Sequence, residues 1–179
     1  HIALDAALAL LALVGEVDLE TLRRRLADYR GIKKRFDVIQ KGKLIIIDDY
    51  AHHPTEIETT LVAVNRYREL LGGRDLCVIW QPHKYSRLAA NLERFKSCFG
   101  ESMDLVILPV YAAGEAPIEI DLAEEFAHYR PTMASHIMRV NHGDDQRILV
   151  MQGETIVREI DSGMVVGFGA GDITNMLRG

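Results

Sequence analysis

The chain has 179 residues, of which 48% are hydrophobic and 26% charged, with a formal net charge of -5. It is long enough to bury a core of its own, and the acidic balance argues against nucleic acid or an anionic membrane as its main partner. Cys77 and Cys98 are the only cysteines; one sits in a strand-like run and one in a helical run, so reduced thiols in a cytoplasm are expected instead of a disulfide scaffold.

The opening HIALDAALALLALVGEV is too short to span a bilayer and lacks the basic leading segment of a signal peptide. A chain that starts at His1 without a methionine reads as a piece of something longer. Residues from about Ala3 to Val14 are mostly Ala and Leu, strong helix formers. Gly15 breaks the run, Asp18 is placed to cap a second helix, and Leu19, Leu22, Leu26 and Tyr29 recur at helical spacing until Gly31. A small helical pair is expected here.

From Phe36 the pattern changes. RFDVIQ and KLIIID read as strands around a KGK turn. Pro54 opens a helix whose apolar face is Ile57, Leu61, Val64 and Leu71, closed by Gly72 and Gly73. DLCVIW is a strand, SRLAANLERFKSCFG a helix, DLVILPVY a strand and DLAEEFAHY a helix. SHIMRVNHGDDQRILVM forms a hairpin through HGDD, which would make the sheet mixed. SGMVVGFGAGD is a strand and glycine turn, followed by a brief ITNML helix. The strands are continuous apolar runs alternating with helices. This predicts an α/β, Rossmann-like, mostly parallel sheet with helices on both faces and one antiparallel hairpin, preceded by the helical pair.

Ligands of such sheets dock beyond the carboxyl ends of the strands. Two polar clusters fall there: Asp48, Asp49, Tyr50, His52 and His53 after LIII, and QPHKYSR, Gln81 to Arg87, after CVIW. Consecutive strands are often neighbours, so both clusters would face one mouth. One of Asp48 and Asp49 is expected to be structural, capping the helix after Pro54, and His53 to be a surface residue. Lys84 and Arg87 at a helix start oppose its dipole, which an anion between them would relieve. VYAAGEAPI, with Tyr111 and Glu115, borders the site or is only a turn. VGFGAGD is read as a tight strand-to-helix turn, and His128, His136 and His142 as surface residues.

Together DDYAHHPTE, QPHKYSR and VYAAGEAPI resemble the carboxy-terminal domain of the Mur ligases. KKRFD is similar to that family's hinge into its last domain, and HIALDAALAL to the closing helix of its central domain. The resemblance covers nearly the whole chain apart from Met133–Met151. It implies residues 1–35 as the helical tail of the central ATP-binding domain and 36–179 as the carboxy-terminal amino-acid-binding domain. The implied reaction is peptidoglycan synthesis in the cytoplasm, with ATP and magnesium, both held mainly by other domains of the same polypeptide. UDP-N-acetylmuramate is activated as an acyl phosphate and attacked by the amine of L-alanine.

Residue by residue, the resemblance implies Asp49 at the ATP ribose and Arg35 at its phosphates, with His1 and Asp5 toward the adenine. Tyr50 and His52 would line the reacting end, His52 as the catalytic residue. His83, Lys84 and Arg87 would hold the alanine carboxylate and neighbouring phosphate oxygens. Ile2 and Asp5 stand where the family has asparagines, and Lys84 where arginine is commoner, a point charge in place of a fork. No G-x-x-x-x-G-K-[ST] loop occurs in this sequence, so the chain by itself is expected to be inactive. Other readings use the same residues: a ligase that recycles a preformed tripeptide onto the same sugar nucleotide, an amino-acid or nucleotide sensor, or a metal-binding or hydrolase module built from His52, His53, His83 and an aspartate.

Overall fold

The Ala- and Leu-rich opening forms helix α1 (Ile2–Leu13). Gly15, at φ 93°, turns the chain, and Asp18 accepts the N–H of Thr21 at 2.9 Å to start α2 (Leu19–Ala27). These elements belong to a unit spanning residues 1–31, and residues 32–179 form a second. The computed structural model describes residues 2–28, 31–100, 103–143 and 145–179. Among the described residues no helix is long and apolar enough to cross a membrane.

The second unit runs β1 (Asp37–Gln40), β2 (Leu44–Asp49), α3 (Pro54–Leu70), β3 (Leu76–Trp80), α4 (Tyr85–Ala90), α5 (Leu92–Cys98), β4 (Asp104–Ile107) and α6 (Leu122–Glu125). A single 3₁₀ turn at Ala127–Tyr129 leads to β5 (Thr132–Met133), β6 (His136–His142), β7 (Asp145–Gln152), β8 (Thr155–Ile160), β9 (Gly163–Phe168) and α7 (Ile173–Arg178). The main sheet has the order β1-β2-β9-β3-β4-β5. Only β1 is antiparallel to its neighbour.

Burial on both sheet faces explains the unbroken apolar runs. Ile45, Ile47, Val78, Trp80, Val166 and Phe168 point to one face and pack with Ile57 and Leu61 of α3, Leu88 of α4, Phe95 of α5 and Leu122 of α6. Trp80 is fully buried there, 5.0 to 5.2 Å from the rings of Phe95, Phe99 and Phe126. The alternate residues Leu44, Ile46, Cys77, Ile79 and Val165 meet Ile173 and Leu177 of α7, with Ile137, Ile148, Val150 and Ile160 of a second, three-stranded sheet β6-β7-β8. Helical cover on that face is therefore shared with a sheet.

Three details differ from the sequence reading. The hairpin of β6 and β7 forms, but it pairs with β8 and not with the main sheet, whose antiparallel member is β1. The long helix read from SRLAANLERFKSCFG is two, broken at Asn91, whose φ of -125° and ψ of 15° leave the helical region and whose side-chain amide bonds the Arg87 carbonyl. The strands that carry the two polar clusters, β2 and β3, are not neighbours: β9 lies between them and pairs with both.

The short α7 is pinned at both ends of its face. Asp48, 0% exposed, accepts from Thr174 Oγ1 at 3.1 Å and from Arg178 Nε at 3.2 Å and Nη2 at 2.8 Å. Arg178 also reaches Asp37 at 2.6 Å, while Arg139 donates to the carbonyls of Leu177 and Arg178. Removing one partner of a buried pair leaves the other charge unpaired. Arg178→Ala is therefore expected to lower unfolding stability by about 3 kcal/mol in urea titration, with a much smaller loss for Arg139→Ala. A change in the Arg178 variant below about 1 kcal/mol, the level of an exposed pair, would show that Asp48 does not depend on this arginine.

Candidate functional site

β2 ends in Asp48 and Asp49, whose side chains leave the strand on opposite sides. Asp48 serves α7, as above. Asp49 is 4% exposed, and its carboxylate accepts the N–H of Phe36 at 2.7 Å and of Ala51 at 2.9 Å. Burial raises its pKa above the usual carboxylate value, against these two hydrogen bonds and the nearby Arg35. Neither aspartate caps α3. Pro54 takes its first position, and Glu56 turns back to accept the N–H groups of His52 at 2.9 Å and His53 at 3.2 Å. His53 is half-buried at that helix start.

The loop between these aspartates and α3 carries a row of rings. The Arg35 guanidinium lies 5.7 Å and the Lys34 ammonium 5.9 Å from the Tyr50 ring centre. Tyr50 meets His52 edge-on at 5.3 Å, and His52 lies 6.0 Å from His83 of the other cluster. His83 stacks on Tyr111 at 5.5 Å and accepts from Arg87 through Nδ1 at 3.1 Å. Arg35, Asp49, Tyr50, His52, His83 and Arg87 therefore share one rim at the carboxyl ends of β2 and β3. The two clusters converge across the end of β9, with Gly169 N–H on the Asp49 carbonyl at 3.3 Å and Gln81 N–H on the Phe168 carbonyl at 2.9 Å.

Hydrogen bonding sets the tautomers of both histidines. A carbonyl only accepts, so His52 Nδ1, 2.9 Å from the Tyr50 carbonyl, carries a hydrogen, and whenever the ring is neutral Nε2 is its acceptor. A guanidinium only donates, so His83 Nδ1 is the acceptor and Nε2 carries its hydrogen. Burial, then the charge of Arg87, lowers the His83 pKa below the ordinary histidine value, which favours this neutral form. The two neutral rings thus present Nε2 oppositely, as an acceptor on His52 and as a donor on His83.

The second loop is held by neighbours that its own sequence does not announce. Lys84 has φ 69°, in the region L residues rarely adopt. Its N–H donates to the Tyr111 carbonyl at 2.9 Å, and the Tyr111 N–H to the Pro82 carbonyl at 2.8 Å. Glu115 accepts from the Ser86 N–H at 2.9 Å and hydroxyl at 2.6 Å. Those bonds to Ser86 hold the Glu115 carboxyl below its usual pKa. VYAAGEAPI thus braces the loop. Gln81, 4% exposed, bonds Asp172 and accepts the Ile173 N–H at 3.1 Å. A Cβ on Gly171 would lie 2.5 Å from Gln81 Oε1 and 2.6 Å from Tyr111 Cγ, so the glycine turn packs against this loop.

Every carboxylate on the rim is committed to N–H groups: Asp49 to Phe36 and Ala51, Glu56 to His52 and His53, Glu115 to Ser86. Lys34, Arg35, Lys84 and Arg87 face it as cations, so the rim suits anionic groups. The same geometry does not fit magnesium, which needs oxygen ligands. No group of three or more His, Cys, Asp or Glu side chains among the described residues is arranged to hold a metal ion, which weakens the metal-module reading. His1 lies outside the described residues, and Asp5 lies on α1 of the first unit. A cavity of about 580 Å³ lies at the opposite, amino ends of β3 and β9; its Arg158 pairs with Asp104, its Arg74 donates to the Gly42 and Lys43 carbonyls, and its Glu159 and Asp161 pair with Arg147 and Lys43.

Comparison with known proteins bears on this rim. The family model for the Mur ligase, glutamate ligase domain, matches residues 34–168. UDP-N-acetylmuramate–L-alanine ligase of Helicobacter pylori is 51% identical over 181 residues, covering 100% of this chain and 39% of that protein. The Campylobacter curvus protein of the same name is 49% identical over 180 residues, covering 100% of this chain and 40% of its own. The chain thus spans about two fifths of the length of these curated relatives. Among solved structures, the UDP-N-acetylmuramate-alanine ligase of Thermotoga maritima shares the fold, with TM-score 0.65 at 24% identity over 99% of this chain and 36% of that one. With its matched domain covering most of its length, the chain belongs to the Mur ligase family.

Proposed function

We propose that this chain is the amino-acid-binding part of an ATP-dependent ligase of peptidoglycan synthesis that joins L-alanine to UDP-N-acetylmuramate. The observation that carries the reading is the convergence of Tyr50, His52, His83 and Arg87 on one cationic rim, in a chain about half identical to relatives bearing that name. Residues 1–35 would be the tail of the ATP-binding domain and 36–179 the domain that closes over it.

ATP supplies the phosphoryl group that activates the sugar-nucleotide carboxylate as an acyl phosphate. Arg35, with Lys34 beside it, would neutralise the phosphates. Asp49 keeps a second lone pair on each oxygen and would accept from a ribose hydroxyl while still holding Phe36 and Ala51. Lys84 and Arg87 would bind the alanine carboxylate, with the His83 Nε2–H as a further donor. His52 Nε2 would take a proton from the alanine ammonium, freeing the amine lone pair to attack, and Tyr50 would wall that side. Closure by the other domains would exclude water from the acyl phosphate. Magnesium would be held outside this chain, which is expected to form no amide alone.

In the full-length enzyme, Arg87→Ala is expected to raise the alanine KM about 100-fold, the roughly 2–3 kcal/mol of a lost hydrogen bond to a charged group. Alanine-dependent phosphate release measures it, and near-normal KM and kcat would refute the assignment. Turnover with a preformed tripeptide but not with alanine would move it to the recycling ligase. His52→Ala is expected to lower kcat about 100-fold, the usual contribution of a positioned base; a kcat within a few-fold of normal would remove His52 from proton transfer.

A further inference from the structure

We propose that Glu115 is a positioning residue for the amino-acid carboxylate, acting through Ser86 on Lys84 and Arg87. The inference rests on the function proposed above and adds a residue outside the two clusters. The residue preceding α4, Lys84, has no side-chain acceptor to offer the first turn of that helix. Glu115 supplies one from a loop 29 residues further on, with one oxygen on the Ser86 N–H and the other on its hydroxyl.

These bonds fix the two residues between Lys84 and Arg87. Lys84 sits in a left-handed conformation that it holds only while its surroundings enforce it. The enforcing contacts all come from the same loop: the Tyr111 carbonyl on the Lys84 N–H, the Pro82 carbonyl on the Tyr111 N–H, and Glu115 on Ser86. Arg87 follows Ser86 directly and reaches His83 at 3.1 Å, a ring that itself stacks on Tyr111. Glu115 spends both oxygens on Ser86 and lies near enough to Lys84 to feel its charge, so it steadies the loop from beside that cation. Without it, one of the three contacts that hold this turn is lost, and the two cations lose their fixed separation. A carboxylate needs both at once.

The test uses the full-length ligase, with Km values for alanine, ATP and UDP-N-acetylmuramate measured separately. Glu115→Ala is expected to raise the alanine KM about tenfold, leaving the other two within about twofold. Glu115→Gln, which keeps an oxygen for the Ser86 N–H, should recover most of the loss, and Ser86→Ala in the Glu115→Ala background should add little. If the alanine variant does not fold, Glu115→Asp, one methylene short of Ser86, is read the same way. An unchanged alanine KM, or all three values rising together as general loosening would cause, overturns the positioning role. Arg87→Ala in parallel separates the cases. If Arg87→Ala raises the alanine KM and Glu115→Ala does not, the positioning role alone falls; if neither does, the substrate assignment fails and takes it along.

Discussion

Backbone pairing of β9 with both β2 and β3 is the constraint on which the site depends. The strand comes from the far end of the chain, and its residues 164–168 are buried. Once it is inserted, the loops after β2 and β3 are anchored to its last residues through Asp49 and Gln81. The turn that follows must then pass between them, which is why Gly171 lies against Gln81 and Tyr111. Separate polar loops become one rim because they share a neighbour, not because they neighbour each other.

The rim's electrostatic character follows from how its acids are employed. A carboxylate beside a cation in a half-buried site would neutralise it and occupy the place of a ligand. Here each acid accepts from N–H groups or a hydroxyl and serves as a brace: Asp49 holds the segment before β1, Glu56 holds the two-histidine turn and Glu115 holds the start of α4. The charges of Arg35 and Lys84 act on Asp49 and Glu115, and Arg87 donates to His83. Asp48 belongs to a different task, since its partners Arg178 and Thr174 tie the last helix to the sheet. Adjacent, chemically identical residues thus divide between fold and site by the two-residue alternation of a strand.

Much of this was legible in the sequence, because it is local. Apolar runs ending in polar tips marked the loops after β2 and β3, and Pro54, Asp18 and the terminal glycines marked helix ends. The remainder depends on distant partners. Nothing in LCVIW or LIIID says that GMVVGF will separate them, since any of these buried strands satisfies the same pattern. β8 is not legible in TIVREI, since its side chains are mostly exposed and show no clean alternation. The break at Asn91 turns on its own backbone angles and a side-chain bond to the Arg87 carbonyl, and the task of Glu115 turns on a serine 29 residues away. Lys84 and Arg87 at a helix start point in the sequence to an anion between them, and not to the Glu115 carboxylate that accepts from Ser86.

The division of labour in the proposed ligase is therefore uneven: this chain offers cations, two imidazoles and a braced loop, while the phosphate cradle and the metal would belong to other domains. Its central claim is spatial, that a small amino acid bridges the ends of β2 and β3. The most direct measurement is a crystal structure of the full-length enzyme with L-alanine bound. The alanine carboxylate should lie about 3 Å from the Arg87 guanidinium, with the amine turned toward His52 Nε2. Alanine seated away from this rim, with Arg87 contacting only His83, would contradict it.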